Sequence, residues 1–156
     1  MNIFIMRHGQ AAPEALNDES RPLTTDGKAE VRLMAQWLAP QVPQFERVLV
    51  SPYLRAQQTW HQLSEILSAQ QVDTCAEFTP DADVALAASL LLAYKDVGEG
   101  GNILLVSHMP MVGYLVESLC PGIAPPSFPT AGLARLSFTE GEVGVLDWLE
   151  APHTLT

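Results

Sequence analysis

Three short words, each following an apolar run, carry the residues able to do chemistry. They are Arg7-His8-Gly9, Ser51-Pro52-Tyr53-Leu54-Arg55 and Ser107-His108-Met109-Pro110. A neutral imidazole can attack phosphorus and later release it to water. A guanidinium stays charged and offers a planar fork that bonds two phosphate oxygens at once. A second histidine can add a charge-assisted donor to the same oxygens. Gly9 suits a place where the backbone must approach a phosphate that a side chain would block. Phosphoryl transfer needs these components: a nucleophile in line with the leaving group, and positive charge around the equatorial oxygens. Any one of the words alone reads more simply as a solvated loop; their joint occurrence after three strand-like runs carries the signal.

The elements that must position these words are legible in outline. Asn2–Met6, Arg47–Ser51 and Asn102–Ser107 are apolar runs without alternation, as expected of parallel strands buried on both faces. Val31, Met34, Ala35 and Leu38 repeat at helical spacing, which predicts a helix over Asp26–Leu38 after a Thr24-Thr25 cap. Ser51-Pro52 reads as a helix cap followed by proline in the first turn, with the helix running to about Leu67. Further helices are expected over Asp83–Tyr94 and Met111–Leu119, and a weaker strand over Val72–Phe78. Pro121–Pro129 reads as a surface loop, and Gly132–Phe138 with Glu142–Trp148 as a terminal hairpin around Glu140-Gly141. The expected fold is α/β: a three-layer α/β/α sandwich with a mostly parallel central sheet and a C-terminal antiparallel hairpin, in one domain spanning residues 1–156. Parallel strands would then deliver all three words to the carboxyl edge of the sheet, where ligands collect in such folds. Arg55 would sit in the first helical turn, beside N–H groups that already favour an anion.

Composition narrows the partners. Eight Lys and Arg against 18 Asp and Glu give a net charge of −10, which argues against nucleic acid and anionic membrane surfaces. No apolar run reaches membrane-spanning length, and no signal-peptide core follows Met1, so a cytoplasmic, monomeric protein is expected. Cys75 and Cys120 form no C-x-x-C pair and read as reduced, buried thiols. His61 and His153 lack metal-ligand spacing, so no metal is expected, and Trp37, Trp60 and Trp148 read as packing residues.

Met6-Arg7-His8-Gly9, Arg21-Pro22-Leu23-Thr24 with Gly27, Ser51-Pro52 with Arg55-Ala56 and Thr59, and Ser107-His108 resemble the histidine phosphatase superfamily in order and spacing. That group includes phosphoglycerate mutases and acid phosphatases. The short chain, the segment Leu105–Leu115 and Cys120-Pro121-Gly122 look closest to its SixA-type phosphohistidine phosphatases. The resemblance implies a phosphoglycerate mutase-like fold without a lid subdomain and without a cofactor. It makes His8 the nucleophile that is transiently phosphorylated, with Arg7, Arg55 and His108 as the positive pocket. Arg21 is implied as a phosphate or substrate contact, with a surface ion pair as the alternative. The implied partner is the phosphorylated histidine of a signalling phosphotransfer domain or phosphocarrier protein.

Two departures bear on the substrate. Gln10-Ala11-Ala12-Pro13 replaces the polar residues common after the His-Gly, and no family-like Glu-Gly word marks an acid among Glu77, Asp81 and Asp83. Asp81 or Asp83 as a cap for the following helix is the simpler reading. An alkoxide leaving group needs a proton delivered in the transition state, whereas an imidazole leaves readily without one. The missing acid therefore favours a nitrogen-linked phosphoryl group. Little chain separates Phe78 from the Asn102 strand, which leaves the site open to a protruding side chain. A phosphatase or mutase for small phosphate esters, and a non-catalytic phosphate-recognition module, remain the alternatives.

Overall fold

The computed structural model describes residues 1–42, 44–97, 101–139, 141 and 143–155. Six strands form one sheet in the order β3-β2-β4-β1-β5-β6: β1 (Asn2–Arg7), β2 (Gln44–Val50), β3 (Ser68–Thr74), β4 (Asn102–Ser107), β5 (Leu133–Ser137) and β6 (Val145–Glu150). β1 to β4 run parallel, and β5 joins β1 antiparallel before pairing with β6. Four helices cover the faces: α1 (Thr25–Leu38), α2 (Leu54–Ser64), α3 (Val84–Val97) and α4 (Met111–Leu119).

The continuous apolar runs are explained by burial on both sides. Phe4 and Met6 of β1 and Leu104 and Val106 of β4 face one cluster with Val31, Met34 and Leu38 of α1. Ile3, Ile5, Ile103 and Leu105 face a second cluster with Leu91 of α3 and Met111, Leu115 and Val116 of α4. Each such side chain leaving water contributes roughly 1.5–3 kcal/mol, so both layers are firmly held. The helices that follow the neighbouring strands β1 and β4 thus leave to opposite faces, which opens a crevice at the carboxyl ends of those strands.

Some expectations change. β3 covers 68–74 rather than 72–78, and Ala76–Phe78 form a 3-10 turn. As an edge strand exposed along most of its length, β3 carries no apolar signature, and the buried Phe78 belongs to the turn. α2 starts at Leu54 and stops at Ser64, with Tyr53 as its N-cap, so Ser51-Pro52 lies outside the helix. α3 continues three residues past Tyr94. The hairpin forms from β5 and β6, and the expected turn and strand positions Glu140 and Glu142 lie outside the described residues.

Candidate active site

The crevice gathers the three words. His8 donates its backbone N–H to the Ser107 carbonyl at 3.0 Å, which joins the ends of β1 and β4. Its carbonyl accepts from Ala131 at 2.9 Å, and Arg7 donates its backbone N–H to Gly132 at 2.9 Å. The residue after β1 is therefore held from both neighbouring strands. The His8 and His108 rings lie 5.2 Å apart, both almost fully buried.

The partners of the ring nitrogens fix the tautomer of His8 and the orientation of His108. His8 Nδ1 lies 2.7 Å from the Gly9 carbonyl, which can only accept, so the ring proton resides on Nδ1. Nε2 then carries the lone pair, and Arg55 Nε donates to it at 3.3 Å. His108 Nε2 lies 2.7 Å from Ser51 Oγ. The same hydroxyl accepts the Tyr53 backbone N–H at 3.3 Å, so Ser51 ties the His108 ring to the residues that lead into α2. His108 Nδ1 is buried and makes no hydrogen bond. Burial, with Arg55, Arg7 and Arg21 adding repulsion against the Gly9 carbonyl, pushes the His8 pKa down to about 4. Burial and the proximity of His8, Arg55 and Arg7, opposed by Asp18, push His108 down to about 3. Both rings are neutral at physiological pH.

The arginines are aimed by loop carbonyls. Arg7 Nη1 donates to the Phe128 carbonyl at 2.8 Å, and its pKa is lowered by burial and by Arg55. Arg55 is 3% exposed and places its guanidinium 4.9 Å from the Tyr53 ring centre. Its Nη1 donates to the Asp18 carbonyl at 2.7 Å and its Nη2 to Asp18 Oδ2 at 3.2 Å. Arg21 reaches the other Asp18 oxygen at 2.9 Å and the Ala12 carbonyl at 3.2 Å. The ion-pair alternative for Arg21 is thus realised, while its charge is also felt at His8.

Gly9 has a packing role. Its N–H is taken by Thr59 Oγ1 at 3.0 Å, and a Cβ on it would stand 2.8 Å from Val31 Cγ2 and 2.9 Å from the Gly27 carbonyl. The glycine is required because α1 passes against it. Among the three carboxylates, Asp83 caps α3, accepting from the Leu86 N–H at 3.2 Å. Asp81 is exposed and Glu77 half-buried; the leading charges acting on His8 are arginines, and those acting on His108 are His8, Arg55, Asp18 and Arg7. Among the described residues no group of three His, Cys, Asp or Glu side chains is placed to hold a metal ion.

Sequence reasoning missed Asp18 altogether, since one carboxylate in the run Asn17-Asp18-Glu19 carries no pattern. It read Ser51 as a helix cap, whereas the hydroxyl serves His108. Thr59 was visible only through the family motif. Its hydroxyl links the Arg55 carbonyl, to which it donates at 2.8 Å, with the Gly9 amide.

Residues 3–79 match the profile of the histidine phosphatase superfamily, branch 1. The phosphohistidine phosphatase SixA of Escherichia coli is 45% identical over 99% of this chain and 96% of its own length. The SixA homolog of Haemophilus influenzae is 37% identical over 87% of each chain. A solved structure of the protein histidine phosphatase SixA complexed with tungstate superposes over the whole of both chains with a TM-score of 0.94. Sequence likeness over the full length and the shared architecture agree: this chain belongs to the histidine phosphatase superfamily, alongside the SixA proteins.

Proposed function

We propose that the protein is a phosphohistidine phosphatase that takes the phosphoryl group from a histidine of a phosphotransfer domain or phosphocarrier protein, through phospho-His8. The observation that carries this reading is the state of His8: Nδ1–H bound to the Gly9 carbonyl, Nε2 bare and met by Arg55. The Nε2 lone pair attacks phosphorus in line with the substrate's N–P bond. As the new P–Nε2 bond forms, the old one breaks, and its electron pair leaves with the substrate imidazole, whose distal nitrogen carries a proton. Arg55, Arg7 and the Nδ1–H of His108 bind the equatorial oxygens. Because Gly9 keeps Nδ1 protonated, the phosphorylated ring is cationic and itself a good leaving group. Water then attacks phosphorus, phosphate departs with the water's proton, and Nε2 regains its lone pair.

The nitrogen-linked substrate is supported by the state of the carboxylates: Asp83 is engaged as the cap of α3, and Asp18 is held ionised by two arginines. Openness supports a protein substrate: α3 is the only helix among the described residues between β3 and β4 longer than one turn, and a cleft of about 390 Å³ lies along Asn17, Asp18 and Arg21. The tungstate bound by the SixA relative is a phosphate-like oxyanion, in keeping with an arginine-lined pocket. The reading places the protein in the cytoplasm as a monomer. Its two cysteines are free and buried, and no described helix is long and apolar enough to cross a membrane.

The test is to incubate the protein with a radiolabelled phosphohistidine-bearing phosphotransfer domain and with a panel of small phosphate esters, trapping early without acid. Label on His8, fast loss from the domain, slow ester turnover and no need for divalent metal are expected. Rapid ester turnover with little action on the domain would replace this reading with that of an ester phosphatase.

A further inference from the structure

We infer that Asp18 is a positioning residue: it grips the end of the Arg55 guanidinium so that the side edge is left to clamp the phosphoryl group beside His8. This rests on the reading of His8 as the phosphoryl acceptor. Arg55 presents two forks. The end fork, Nη1 and Nη2, is engaged by the Asp18 carbonyl at 2.7 Å and its carboxylate at 3.2 Å. The side fork is made by Nε and the second hydrogen of Nη2, and its Nε–H already points at His8 Nε2 at 3.3 Å. A phosphoryl group arriving at Nε2 meets that edge, whose two parallel N–H groups match two oxygens.

The grip is itself braced. Asp18 opens a single 3-10 turn closed by reciprocal bonds: Asn17 Oδ1 accepts from the Ser20 N–H at 2.9 Å, and Ser20 Oγ accepts from the Asn17 N–H at 3.3 Å. The second carboxylate oxygen is taken by Arg21 Nε at 2.9 Å, and Arg21 is anchored by the Ala12 carbonyl. Two arginines thus share one carboxylate. Burial works against its ionisation, but Arg55 and Arg21 prevail and hold its pKa below the ordinary carboxylate range, so at neutral pH it accepts hydrogen bonds and has no proton to give. The Asp18 side chain is 58% exposed, so the pair adds little to folding stability; its value lies in orientation.

The experiment compares Asp18→Ala, Asp18→Asn and Arg55→Lys, singly and combined, in the full chain. The readouts are the single-turnover rate of His8 labelling from a phosphohistidine domain, calorimetric binding of tungstate, and melting temperature. Asp18→Ala is expected to label His8 roughly 10- to 30-fold more slowly and to bind tungstate about 5-fold more weakly, while melting near the wild type. Asp18→Asn keeps an oxygen for Nη2 and should stay within about 3-fold of the wild type on both readouts. In the Arg55→Lys background, which has no fork to orient, Asp18→Ala should cost less than about 2-fold. Equal losses for Ala and Asn, an undiminished loss in the Arg55→Lys background, or rates and affinities unchanged in Asp18→Ala would each overturn the assignment. Tungstate binding reports on the clamp whether or not the wild type labels His8. Failure of the proposed function and failure of this inference are therefore separately visible.

Discussion

The two histidines are the same side chain used in opposite senses. His8 is tied through Nδ1 to a backbone carbonyl, and His108 through Nε2 to a serine hydroxyl. The first tie leaves a lone pair toward Arg55, while the second leaves Nδ1 buried without a partner. In the proposed mechanism one ring serves as nucleophile and the other as donor, although burial keeps both neutral. The lesson is that residue type supplied the chemistry and the hydrogen-bond partner assigned the role. The ties also differ in kind: a carbonyl survives any side-chain substitution, while a hydroxyl does not.

The sharpest break is His8→Ala, which removes the lone pair and should lower phosphate release by at least about 10⁴-fold, with no label retained on the protein. His108→Ala removes only a donor. It should slow turnover by roughly 10²- to 10³-fold while leaving phospho-His8 trappable, and His108→Asn, which restores an N–H, should recover part of the rate. An inverted order in these assays would exchange the two roles.

Acid provides a test of the shared neutrality. Each histidine has a folded pKa below the unfolded value of 6.5. Between about pH 6.5 and 4 the unfolded chain therefore binds protons that the folded one refuses. Stability should be full above pH 6.5 and fall as pH drops toward 4, by on the order of 3 kcal/mol for His8 alone. Urea titrations at several pH values measure this, and the slope should flatten in His8→Ala. Activity should hold through the neutral range and fail only as His8 protonates near pH 4. A profile falling already at pH 6.5 would mean that the ring is not desolvated.

The smallest effect addresses the mutable tie. Ser51→Ala should slow turnover about 10-fold and destabilise the fold by about 1–2 kcal/mol, because His108 Nε2 loses its partner in a buried place. Wild-type kinetics in that variant would show that the hydroxyl does not orient the ring.

Legibility followed the range of the interactions. β1, β4, α1 and α4 were readable within a residue or so at each end, because strands buried on both faces and amphipathic helices write their burial into adjacent residues. β3 was misplaced because an edge strand packs little, and α2 began late because Ser51 was already engaged with a histidine 57 residues away. The packing of Gly9 on α1 was not legible, because Val31 and Gly27 reach it only through the fold. Asp18 was invisible, since its partners Arg55 and Arg21 meet it only once the chain has folded back.

The sequence alone determined which groups are present: two imidazoles and two guanidiniums, each at or just beyond the end of a buried strand or in the helical turn that follows one, and hence a family and a class of chemistry. Only the tertiary structure decided which nitrogen of each ring is free and which edge of Arg55 faces inward. Those choices depend on hydrogen-bond partners contributed by Gly9, Ser51 and Asp18, and a hydrogen bond needs distance and direction, which residue order does not encode.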